Sequence, residues 1–266
     1  MSDDATAASD PVRASVARPT LRRVRNGSGA SGTVVFVHGT MDTCVSFRRV
    51  AEQLPDRTLF SYDRRGWGAS RRPGSRPPSL TDHVDDLAAV VARTDEPILV
   101  GHSYGGLIAL CAAARTPERV RAVVAFEPPV RWLPWWPPEA PWERLVRESA
   151  DDPAAAAGAL LNEVVGAPVA RMRPAAELAA DGVALLAEMR DPELNTPMFE
   201  PLTLDVPAVV AAGERSLAHH IEVSARLAEL LPRGRYLQIP DAGHAAHVRH
   251  PAEFAALVDA VAPASP

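Results

Sequence analysis

The sequence predicts one α/β domain, a mostly parallel sheet with helices on both faces, and three observations carry that prediction. From residue 32 onward, short β-branched runs alternate with longer helical patterns, as parallel strands joined by crossover helices do. A chain of 266 residues is ordinary for one such domain with a large core. Its 47% hydrophobic and 23% charged residues are globular proportions, and no run reaches the roughly 20 apolar residues that a membrane helix requires.

Taken in order, residues 1–17 (MSDDATAASDPVRASVA) are small, polar and Pro-interrupted, with neither a basic start nor an apolar stretch. They read as a disordered tail on a cytoplasmic protein. Residues 20–26 suggest an antiparallel strand ahead of the parallel set. Strands are then expected at 32–37, 58–62, 97–100, 120–126, 206–212 and 235–239, with helical patterns at 45–54, 80–93, 104–115, 218–231 and 251–261.

Between about residues 130 and 198 the alternation breaks into a stretch rich in Ala, Pro and Trp, which reads as an inserted helical lid. The core is therefore expected from 18–129 and 199–266. Trp132, Trp135 and Trp136 at the entrance to the insertion are expected either to wall a substrate pocket or to pack lid against core.

Cys44 and Cys111 supply neither a disulfide framework nor a metal knuckle, so both are expected to be buried thiols. The net charge is −5 and the arginines are dispersed, which disfavours nucleic acid as a partner. No metal or organic cofactor is implied, no membrane association is expected, and a monomer or homodimer is compatible with the sequence.

Gly101-His102-Ser103-Tyr104-Gly105 fits G-x-S-x-G and lies between an expected strand and an expected helix. The glycines permit a tight turn that would lift the Ser103 hydroxyl above the sheet, making Ser103 the expected nucleophile. The backbone N–H of Tyr104, at the helix N-terminus, would face a developing oxyanion. A second N–H is expected from Thr40, after His38-Gly39, with His38 holding that loop by side-chain hydrogen bonds. The general base must come late, and His244 after Gly243 is favoured over His247 and His250. His219 and His220 are expected to face solvent or the lid.

Four motifs in order, His38-Gly39, Asp63-Arg64-Arg65-Gly66-Trp67-Gly68-Ala69-Ser70, the Ser103 elbow and Gly243-His244, resemble the α/β-hydrolase superfamily, in particular its lidded small-molecule serine hydrolases. The resemblance implies an α/β-hydrolase fold over residues 32–261 and a structural role for Asp63 and Arg65. Relatives often carry the triad acid in a G-x-x-D pattern after the strand at 206–212. Here that segment reads Gly213-Glu214-Arg215-Ser216, without an aspartate. Some members place the acid one strand earlier, where Glu127 stands, and a carboxylate at the C-terminal tip of a parallel strand points toward the ligand crevice. Glu127 is therefore the expected acid, with Glu214 as main rival and Asp241 behind it.

The expected reaction is hydrolysis of a small ester, thioester or lactone through an acyl-enzyme on Ser103. A C–C bond hydrolase, a cofactor-free perhydrolase, a hydroxynitrile lyase-like enzyme and a ligand-binding protein with vestigial catalysis are the alternatives.

Overall fold

The β-branched run after Gly32 forms strand β2 (Thr33–Val37), and its neighbours assemble around it in a computed structural model that describes residues 22–26, 31–72, 74–166 and 173–261. β1 (Arg22–Asn26) precedes it. After it come a 3-10 turn (Cys44–Phe47), α1 (Arg48–Ala51), β3 (Thr58–Ser61), α2 (Leu80–Val91), β4 (Ile98–His102), α3 (Tyr104–Arg115) and β5 (Ala122–Phe126). The segment between β5 and the next strand holds α4 (Pro141–Glu148), α5 (Pro153–Leu160), a π-helical turn (Leu161–Val165) and α6 (Ala175–Met189). β6 (Ala208–Gly213), α7 (Ala218–Leu230), β7 (Gly234–Ile239), α8 (Ala246–Arg249) and α9 (Pro251–Val261) complete the described chain. The expected tail at residues 1–17 lies outside the described residues.

The sheet runs β1-β3-β2-β4-β5-β6-β7, with β1 antiparallel to β3 and the other pairs parallel. Both faces are covered, which is why the strands read as continuous hydrophobic runs. Side chains alternate across the sheet: Val35, Val37 and Leu99 pack with Leu87 of α2 and Leu107 of α3, whereas Val34, Phe36 and Ile98 pack with Phe47 and with Phe254 of α9.

The single helix expected at 45–54 is instead a 3-10 turn followed by the short α1. The Ser46 N–H bonds back three residues to the Thr43 carbonyl at 3.2 Å, and the Asp42 carboxylate accepts from the Thr43 N–H and the Ser46 hydroxyl. The inserted helices begin on strong local signals. Pro occupies the first turn of α4 and of α5, and the Asp152 carboxylate caps α5 by accepting from the N–H groups of Ala154 and Ala155. Among the described residues no helix is long and apolar enough to cross a membrane.

Candidate active site

Ser103 sits between β4 and α3 with φ 53° and ψ −125°, a left-handed conformation for a non-glycine residue. The flanking glycines make the turn possible: a Cβ on Gly105 would fall 2.1 Å from the Val37 carbonyl oxygen, and one on Gly101 would fall 2.2 Å from that of Gly105. The Ser103 N–H donates to the Phe126 carbonyl at 2.7 Å, pinning the elbow to the end of β5.

One residue past β5, Glu127 also has positive φ (48°), and its N–H donates to the Ala211 carbonyl of β6. The buried carboxylate is filled on both oxygens. Oε1 accepts from the Gly213 N–H at 2.9 Å and from the Ser216 hydroxyl; Oε2 accepts from His244 Nδ1 at 2.6 Å and His220 Nδ1 at 2.9 Å. Burial alone would raise this carboxyl, but the facing His244 and His220 imidazoles outweigh it and hold Glu127 well below the ordinary carboxylate range. Because a carboxylate only accepts, His244 carries its proton on Nδ1, and Nε2 is left without a protein partner among the described residues.

Ser216 stands where relatives' G-x-x-D pattern would put the acid, and its hydroxyl donates to Glu127 instead. The rival carboxylates are engaged elsewhere. Glu214 accepts from the Asp241 N–H at 2.9 Å, and Asp241 pairs with the exposed Arg215.

His220 corrects the sequence reading in part. It does meet the segment expected as a lid, stacked on Trp136 at 5.5 Å between ring centroids, but it is buried rather than open to solvent and is bonded to Glu127. Its position in the first turn after β6, over the C-terminal edge of a parallel sheet, is the signal that could have found it.

The loop after β2 is built as a rigid unit. His38 Nε2 accepts from the Arg64 N–H at 2.8 Å and its Nδ1 donates to the Gly39 carbonyl. Complete burial lowers the His38 pKa to about 4, with the Arg64 guanidinium adding to the effect. Asp63 accepts from the N–H groups of Cys44 and Ala69, and Arg65 pairs with Asp86. The sequence reading passed over Arg64, which is fully buried and donates to the His38 and Gly39 carbonyls and to Glu188 of α6. Glu188 also accepts from the Trp67 indole at 2.7 Å and the Thr40 hydroxyl at 2.7 Å. Thr40 and Tyr104 have no acceptor for their backbone N–H groups among the described residues.

A second imidazole pair lies beside the elbow. His102 Nε2 donates to the His244 carbonyl at 2.8 Å, so Nδ1 is a buried lone pair without a donor. His247 Nε2 donates to Asp42 at 3.2 Å, and the His102 and His247 rings lie 4.1 Å apart. His250, the other candidate base, directly precedes α9, where its carbonyl accepts from the Phe254 N–H at 2.9 Å. Two groups have donor atoms close enough for a metal ion, Asp42 with His102 and His247, and Glu127 with His220 and His244. In the second group the hydrogen-bond pattern already occupies both Nδ1 atoms and the carboxylate.

Ser103, Glu127, His220 and His244 all border one cavity of about 340 Å³, whose remaining wall is mainly apolar side chains of the inserted helices, among them Leu160, Leu161 and Leu185. Trp136 and Trp142 line it. Trp132 and Trp135, also expected at the pocket, do not: Trp132 packs edge-on against Phe199, and Trp135 lies by the Arg226 guanidinium. Trp135 and Trp136 are adjacent in a turn and face different surfaces, so only Trp136 of that pair reaches the cavity. Cys44 and Cys111 are buried and form no disulfide.

Residues 34–257 match the model of the alpha/beta hydrolase family. The chain is 35% identical over 118 residues to 2-(acetamidomethylene)succinate hydrolase of Mesorhizobium japonicum, spanning 43% of this chain and only 41% of that protein. It is 31% identical over 251 residues to the pimeloyl-[acyl-carrier protein] methyl ester esterase of Chromobacterium violaceum, covering 85% of this chain and 92% of that one. Among solved structures it is similar to an alpha/beta hydrolase from Sphaerobacter thermophilus, with TM-score 0.67, 26% identity, and coverage of 89% and 95% of the two chains. With the family model spanning nearly all of the sheet and both ends of the site, the chain belongs to the α/β hydrolase family.

Proposed function

We propose that this hydrolase cleaves a small carboxylic ester, thioester or lactone through an acyl-enzyme on Ser103. The observation that carries the reading is the 2.6 Å bond from His244 Nδ1 to the buried Glu127 carboxylate, on the same cavity as a serine held at positive φ. His244 Nε2 takes the Ser103 proton as Oγ attacks the carbonyl carbon, and Glu127 stabilises the imidazolium that forms. The Thr40 and Tyr104 N–H groups, free of protein acceptors, bind the tetrahedral oxyanion. Its collapse expels the alcohol or thiol, which takes the proton from His244. Water, activated by the same imidazole, then releases the acid.

The helical insertion acts as a lid, since its side chains form the apolar wall opposite Ser103. The ester reading accords with the methyl ester esterase relative, which the chain matches over most of its length.

The test is a fluorophosphonate label followed by a panel of acyl esters. Stoichiometric modification of Ser103, abolished in Ser103→Ala and strongly slowed in His244→Ala, is expected. An unreactive Ser103 in folded protein, with no ester turned over, sinks the proposal and favours a binding role.

A further inference from the structure

Arg131 lies four residues beyond Glu127 and borders the same cavity. Its side chain is only 13% exposed, and its Nε and Nη1 atoms are buried without a hydrogen-bond partner. The nearest counter-charge is Glu143 at 3.3 Å from Nε, and that carboxylate already accepts from the Ala140 N–H and the Trp136 indole. The other carboxylates on the cavity wall are equally committed: Asp42 to Ser46 and His247, Glu127 to its four donors, Glu188 to Thr40, Arg64 and Trp67. Glu143 balances the charge of this guanidinium but, among the described residues, nothing completes its hydrogen bonds, and unmet buried donors are costly.

We propose that Arg131 is a specificity-determining residue that receives a carboxylate on the substrate's acyl portion, so that the preferred substrates are monoesters, thioesters or lactones of dicarboxylic acids. This rests on the hydrolase reading above. A substrate carboxylate would complete the hydrogen bonding of the guanidinium at its terminal nitrogens, and the mainly apolar wall of the cavity would strengthen the pairing. Arg131 and Glu143 also border a second hollow of about 300 Å³, lined by Arg147 and Arg190, where an anion would touch Arg131 without reaching Ser103.

The experiment compares kcat/KM for 4-nitrophenyl hydrogen glutarate and the neutral 4-nitrophenyl pentanoate of equal chain length, alongside calorimetric titration with glutaramate, which carries one carboxylate, and the neutral pentanamide. The wild type should favour the anionic ester about 10- to 100-fold, the range of one charge-assisted bond. The ratio should collapse toward unity in Arg131→Met. It should rise in Glu143→Gln, which keeps the cation and removes its competing charge, and which answers the question if the Met variant does not fold. A wild-type ratio near one, or a ratio unchanged in Arg131→Met, overturns the proposal. Loss of glutaramate binding in Arg131→Met without loss of selectivity also overturns it, because the anion then sits in the second hollow. If neither ester is turned over, the hydrolase reading fails separately. Titration then decides the subsite alone: glutaramate bound in preference to pentanamide, and only when Arg131 is present, upholds it, and equal binding refutes it.

Discussion

Replacing Glu127 by Gln removes one charge while keeping the shape of the side chain, and the environment dictates how the amide must sit. Its carbonyl oxygen takes the Gly213 N–H and the Ser216 hydroxyl, which leaves the NH₂ facing the Nδ1 atoms of His220 and His244. A donor facing a donor forces His244 into the tautomer that carries its proton on Nε2, which cannot accept from Ser103. The lost electrostatic stabilisation of the imidazolium at 2.6 Å is about 6 kcal/mol at an effective dielectric of about 20. That is an upper limit of four to five decades, so a fall in kcat of about 10³- to 10⁴-fold is expected. The assay is ester turnover against fluorophosphonate-titrated sites, with circular dichroism confirming the fold. Turnover within about tenfold of wild type would refute the role of Glu127 and return the question to Glu214.

Three further outcomes follow from the same geometry. His220→Ala removes one of the two imidazole donors to Glu127 Oε2 and loosens the carboxylate that orients His244, so kcat should fall about tenfold with KM little changed; His220→Asn, which keeps a donor, should restore it, and an unchanged kcat would exclude a positioning role. Gly105→Ala drives a Cβ into the Val37 carbonyl at 2.1 Å, and soluble variant with a wild-type melting temperature would contradict the packing at the elbow. His38 is held near pKa 4 in the folded chain against 6.5 when unfolded, so between those values the unfolded state binds more protons and stability falls as pH falls; about 2 kcal/mol should be lost between pH 7 and pH 5, and urea unfolding that is flat over this interval would refute it.

The parts of the site that the sequence made legible are those fixed to strand ends. Ser103, Glu127 and His244 each follow a recognisable hydrophobic run, and a parallel sheet delivers the residues just past its strands to one edge. What escaped depends on contacts far apart in the chain. His220 reads as an ordinary helix-start residue until α7 is known to lie over that edge. Arg64 and Arg65 are adjacent and chemically identical, and only the fold decides that Arg64 goes inward to the carbonyls of the loop after β2 while Arg65 pairs with α2. The tryptophans were ambiguous for a related reason, since hydrophobicity says that a ring is buried but not against which surface.

Glu188 has a bearing on how this protein could be re-engineered. It belongs to the insertion by sequence, yet through Arg64, Trp67 and the Thr40 hydroxyl it fastens the loop that carries one of the two proposed oxyanion donors. The insertion is therefore not an exchangeable module. Grafting a foreign cap onto this core to change substrate range would strand the fully buried Arg64 without its counter-charge and loosen the Thr40 loop, unless a carboxylate is rebuilt at that position. In this chain the proposed lid and the proposed oxyanion loop share a single carboxylate.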